Sequence, residues 1–132
     1  MISIRDYFGP HKAPTAALVS AAKTLLSPVN ALLAEAIRAG VELAQNPATG
    51  TLVSGQTYGG FRPENCPIGS PKSAHKQARA VDVYDPDGAL DAWVTDEILA
   101  GYGLYREHPD ATSGWCHLTD RAPDSGKRTF RP

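Results

Sequence analysis

Apolar residues in the first third of the chain recur with a helical period. Leu18, Ala21, Ala22, Leu25 and Leu26 follow the i, i+3, i+4, i+7, i+8 spacing of one buried helix face. Val29, Leu32, Leu33, Ala36 and Ile37 repeat that spacing. Between the two sets stands Ser27-Pro28, a pair suited to an N-cap followed by proline at the first helical position. Gly40 supplies a stop. The pattern from Pro14 to Gly40 predicts two short amphipathic helices with a bend at Ser27-Pro28.

Beyond Gly40 the punctuation changes. Asn46 to Gly50 reads as a turn, Thr51 to Ser54 as a short strand, and the Gly- and Pro-rich stretch from Gly55 to Ser73 as irregular loop. Alternation over Arg79 to Tyr84 predicts a strand, closed by the turn Asp85 to Gly88. Leu90, Trp93, Val94 and Ile98 mark one helix ending near Gly101 or Gly103. Gly103 to Glu107 and Trp115 to Thr119 read as paired strands, and Lys127 to Pro132 as an added edge strand. Helices first and strands later predict an α+β fold, with N-terminal helices packed on a small antiparallel sheet.

The 132 residues suit one domain spanning 1–132. A net charge of -1 with both signs mixed gives no footprint for nucleic acid. No apolar run is expected to reach the ~20 residues that span a bilayer, so no membrane partner is expected. Met1 to Pro14 shows no apolar segment of a secretory leader, which predicts synthesis in the cytoplasm without a signal peptide. Cys66 and Cys116 are too few for a disulfide scaffold and are expected to be reduced and dispensable for folding. A monomer is expected.

Three side chains carry candidate chemistry. His75 precedes the strand containing Asp82, and His117 lies in a later strand. On the first strand Val81 and Val83 share one face and Asp82 the other. On the second, Cys116 and Leu118 oppose Trp115 and His117. Both apolar pairs can face a core while Asp82 and His117 point into a cleft, and the same parity turns Cys116 away from a metal held by His117. Two imidazoles and one carboxylate are a donor set for catalytic zinc, with one position left for water.

Ser73 to Asp82, SAHKQARAVD, resembles the S-x-H-x-x-G-x-A-x-D signature of the M15 zinc peptidases. Trp115-Cys116-His117 is similar to their later W-x-H, and Ser54-Gly55 with Gly60-Phe61-Arg62-Pro63 resembles their upstream SG-x-R-P segment. These are the D-Ala-D-Ala carboxypeptidases and related phage endolysins, which share a fold with the hedgehog signalling domain. The resemblance covers about Leu52 to Leu118. It implies a hedgehog/DD-peptidase-like fold, one zinc held by His75, Asp82 and His117, peptidoglycan stem peptide as substrate, and a substrate-facing Arg62. The guanidinium of Arg62 suits either binding of the substrate's terminal carboxylate or a catalytic part in steadying the oxyanion. Ser73, Tyr84 and Trp115 are the further candidates for substrate contact. A phage or prophage lysin acting on the cell wall is the setting it implies.

Two positions depart from the signature. Ala78 replaces its glycine, a small change if the backbone there is extended. Gly114 stands where many relatives carry the acidic general base, three residues before the last histidine. A hairpin in the simplest register sets Glu107 opposite Trp115 and Tyr105 opposite His117, with Glu107 a diagonal neighbour of His117 on the same face. Glu107 is therefore the expected general acid/base, with Asp110 and His108 as loop alternatives. The competing expectation is a module that keeps the metal and has lost hydrolysis, such as a structural part of a phage particle.

Overall fold

A computed structural model describes residues 1–12 and 15–132. Ser3 opens the first helix, α1 (Ile4–Phe8), with a capping box: its side chain accepts from the Asp6 amide while the Asp6 carboxylate accepts from Ser3. That helix was not foreseen, although Ser3-x-x-Asp6 announces it. The expected helical start at Pro14 lies outside the described residues. Thr15 caps α2 (Ala16–Arg38) through the Leu18 amide.

α2 is one continuous helix with Pro28 inside it, not two helices with a bend. The apolar stripe keeps a single phase across the proline, because Ala22, Leu25, Leu26, Val29, Leu32, Leu33 and Ala36 are all buried on one side. An internal proline costs about 3 kcal/mol. Burying Val29, Leu32 and Leu33 returns roughly 1.5–3 kcal/mol each, so core packing outweighs the break. Ile37, expected in the stripe, is 50% exposed. Gly40 ends the helix as expected: at φ 96° it lets the Val41 amide reach the Ala36 carbonyl and its own amide reach Ile37. By length and composition α2 could cross a membrane, contrary to the expectation that no such run exists. Here its apolar stripe belongs to the same core as the sheet.

Among the described residues the sheet has four strands, β1 (Ala80–Tyr84), β2 (Tyr105–Glu107), β3 (Trp115–Thr119) and β4 (Thr129–Phe130), in the order β1-β3-β2-β4. β3 is central and antiparallel to β1 and β2. The sheet is mixed rather than antiparallel throughout, because β4 runs parallel to β2 on its outer side. Thr51 to Ser54 makes no strand of its own. It contributes bridges from Thr51 to Asn46 and from Val53 to Val83, and Ser54 donates to the Asp82 carbonyl.

Between β1 and β2 the single expected helix is two, α3 (Ala89–Trp93) and α4 (Asp96–Tyr102). Val94 is extended, and Thr95 starts afresh by accepting from the Ile98 amide. Gly103, at φ 69°, closes α4. Val81, Val83, Cys116 and Leu118 point into one core with the buried residues of α2, Leu90, Leu99 and Leu104. The helices thus cover one face of the sheet and leave Asp82 and His117 on the other. The fold is α+β.

Candidate metal centre

The register of β1 against β3 sets Asp82 directly opposite His117. Val81 and Val83 are buried in the core, so strand parity alone turns Asp82 to the second face. His75 reaches the same place from a 3-10 turn, Ala74–Gln77, capped by the Ser73 hydroxyl, which accepts from the His75 amide. Ser73, a candidate for substrate contact, therefore helps present His75.

Ala78 closes that turn in the left-handed conformation, φ 55° and ψ 37°. The backbone there is not extended, so glycine in the signature answers a conformational need that alanine meets at a cost of roughly 1–2 kcal/mol. The compensating feature is full burial of the Ala78 methyl in the core.

His75, Asp82 and His117 are all buried, and one donor atom from each lies within 4.8 Å of the others. His75 Nε2 is 3.3 Å from Asp82 Oδ1, and His117 Nδ1 is 2.8 Å from the same oxygen. The outer nitrogen of His75, Nδ1, donates to the Gly60 carbonyl at 2.8 Å. In a neutral ring that leaves Nε2 a lone pair facing a carboxylate oxygen. Two acceptors that close require a cation between them, either a proton or a metal ion. Donor atoms about 2.0–2.1 Å from a tetrahedral zinc lie ~3.3 Å apart, which the His75–Asp82 spacing matches, while His117 and Asp82 stand at the shorter distance of a hydrogen bond and would have to part slightly around an ion. The cluster could hold a metal ion.

Burial by itself would raise the Asp82 pKa, but the charge and hydrogen bonds of His75 and His117 outweigh it and hold the carboxyl well below the usual range. Burial disfavours the imidazolium of His117, yet the Asp82 hydrogen bond and the Asp82 and Glu107 charges raise its pKa.

Arg62 arrives from the loop before the 3-10 turn. Its Nε donates to the Tyr58 carbonyl at 2.8 Å, and Nη2 approaches Asp82 Oδ2 at 3.4 Å. Gly60, whose carbonyl holds His75, is confined: a Cβ there would sit 2.0 Å from the Tyr7 carbonyl oxygen. The Gly59-Gly60 pair was the available signal for this close approach, and its part in orienting His75 went unread. Tyr84 lies opposite Trp115 at the end of β1, both half-buried on the parity of Asp82 and His117.

The hairpin register differs from the simplest one by two residues. Tyr105 pairs with Thr119 and Arg106 with Leu118, which sets Glu107 opposite His117 itself. The 3-10 turn at Pro109–Ala111 lies within the connection between the two strands, so pairing starts closer to the far end of β3 than a simple hairpin loop would set it. A two-residue slip keeps every side chain on its expected face. Glu107, 23% exposed, puts Oε1 3.9 Å from His117 Nε2. Asp110 instead projects outward at 70% exposure, paired with Arg131 and His108. Gly114 has φ 99°, and its carbonyl accepts from Asp85. A side chain there would be strained whatever its charge.

Phe130 of β4, not foreseen, packs edge-on to the His117 ring at 6.2 Å between centroids. Both cysteines are free and buried, and Cys116 faces the core beside Asp91, away from the cluster. Comparison with known protein families, characterised proteins and solved structures finds no match.

Proposed function

We propose that this chain is a zinc-dependent peptidase of the hedgehog/DD-peptidase fold that hydrolyses amide bonds in peptidoglycan stem peptides, in the setting of a phage or prophage lysin. The observation that carries the reading is the buried cluster of two imidazoles and one carboxylate on the face of the sheet opposite the helical core. This donor set suits zinc; copper(I) and iron–sulfur clusters favour thiolates, and calcium an oxygen cage. His75, Asp82 and His117 would hold the ion. Zinc bound there supplies a water of pKa around 7 and a polarised scissile carbonyl.

The remaining work belongs to side chains around the cluster. Glu107 takes the proton of the attacking water and returns it to the leaving amine as the C–N bond breaks. Arg62 offers a guanidinium to a substrate carboxylate or to the developing oxyanion. Tyr84 and Trp115 flank the peptide along the strand ends. The match of the Ser73–Asp82 and Trp115–His117 segments to the peptidase signature supports the same reading.

The test is metal analysis joined to mass spectrometry of defined muropeptides. We expect one zinc per chain, near-total loss of zinc in His75→Ala, and cleavage that chelator abolishes and zinc restores. A His75→Ala variant that retains a full equivalent overturns the ligand set. Gly114 favours a second reading, a metal-stabilised binding or structural module. Zinc bound at one equivalent with every muropeptide intact would establish that module instead.

A further inference from the structure

The two histidines of the cluster each have an inner and an outer ring nitrogen. For His75 the inner atom is Nε2, 3.3 Å from Asp82 Oδ1, and the outer atom, Nδ1, is anchored on the Gly60 carbonyl at 2.8 Å. For His117 the assignment reverses. Nδ1 is inner, 2.8 Å from the same Asp82 oxygen, and Nε2 is outer. The acceptor facing that outer nitrogen is Glu107 Oε1 at 3.9 Å. The Phe130 ring, edge-on to the imidazole, offers no acceptor.

We propose that Glu107 is a positioning residue for His117: its carboxylate accepts the Nε2–H and so fixes the ring with Nδ1 free for the metal. The proposal rests on the metal-site reading and is separate from the acid/base role given to Glu107 above. Histidine ligands work in this way because the group on the outer nitrogen selects the tautomer, sets the ring plane and raises the basicity of the inner nitrogen. Gly60 does this for His75 with a rigid backbone carbonyl. Glu107 would do it for His117 from the next position along the same strand register, its half-buried side chain turning to shorten 3.9 Å to hydrogen-bonding distance. One carboxylate can serve both roles, since Oε1 faces His117 and Oε2 is not needed there.

The roles separate by zinc affinity, read by competition with a chromophoric chelator without any substrate. Positioning predicts that Glu107→Ala binds zinc about 10–100-fold more weakly, whereas Glu107→Gln, which keeps an acceptor at Oε1, stays within about threefold of the parent. Glu107→Met, with matching length and no acceptor, should follow Ala, and it serves if Ala fails the check of metal-free folding by circular dichroism. Parent-like affinity in both Ala and Met overturns the proposal while leaving the metal site intact. A Gln variant as weak as Ala also overturns it, because charge and not the hydrogen bond is then what matters. A parent chain that binds no zinc removes the metal reading itself and this inference with it.

Discussion

Asp82 serves three cationic or donor groups with two oxygens: both histidines share Oδ1, and Arg62 approaches Oδ2. This sets opposite pH dependences for the metal-free and metal-loaded states. The depressed Asp82 pKa contributes stability that is complete above the unfolded value of about 4 and is lost only in strong acid. The raised His117 pKa contributes stability that is complete below the unfolded value of about 6.5 and is lost as pH rises through the folded value. Metal binding needs His117 unprotonated at Nδ1, so affinity grows over that same rise. In thermal melts at pH values rising from about 6.5, the chelator-treated protein should lose stability, and the stabilisation added by excess zinc should grow. Parallel curves with and without zinc would contradict the shared site. At this scale the sequence was informative wherever period-two alternation applied, which is why Asp82, His117 and Glu107 were placed on one face. It was silent on Ala78, since alanine carries no mark of a left-handed backbone, and on the Gly60 carbonyl, since a main-chain acceptor has no side chain to read.

α2 shows how an element can override its own punctuation. Ser27-Pro28 reads as a boundary on local grounds, but the buried positions on either side keep one helical phase, and the core holds both halves in line. Pro28 then sits in a helix interior, where it withholds an amide from the Thr24 carbonyl. Replacing it should stabilise the protein. The gain is up to about 3 kcal/mol from helix propensity and the recovered hydrogen bond, less roughly 0.4–1 kcal/mol for the freer unfolded chain. A chemical-denaturation midpoint for Pro28→Ala above the parent's is the expected result; an unchanged or lower midpoint would fit a true boundary at Pro28. The break between α3 and α4 is the converse case. Leu90, Trp93, Val94 and Ile98 suggested one helix, yet Thr95-Asp96-Glu97 carries a capping hydroxyl followed by first-turn acids, and the local signal prevailed. The parallel placement of β4 could not be read from sequence, because two residues contain no register information and their course depends on how the chain rounds the outside of β2.

Across the whole molecule, distant segments meet behind the site. The Phe61 amide beside Gly60 donates to the Tyr7 carbonyl of α1, and the Tyr7 hydroxyl donates to the Ala80 carbonyl. Residue 2 is held in turn by the side chain of Asn30, which donates to its carbonyl and accepts from its amide. On the far side, Arg106 and His108 donate to the carbonyls of Arg128 and Phe130. The ordinary expectation for outlying segments is fraying, with amides exchanging in low-energy local openings. Here α1 and β4 brace the two sides of the cluster. In native-state hydrogen–deuterium exchange, the Phe61 and His108 amides should be as slow as those of Val81 and Leu118, and the loop from Glu64 to Lys72 should exchange much faster. Rapid exchange at Phe61 or His108 would mean that the bracing opens independently of the core. If the bracing holds, the two braced sides of the cluster open only with the core, and His75, on its 3-10 turn next to the faster loop, is the ligand free to move first. Isotope exchange of any zinc bound there would then time the opening of that one turn and not the unfolding of the whole protein.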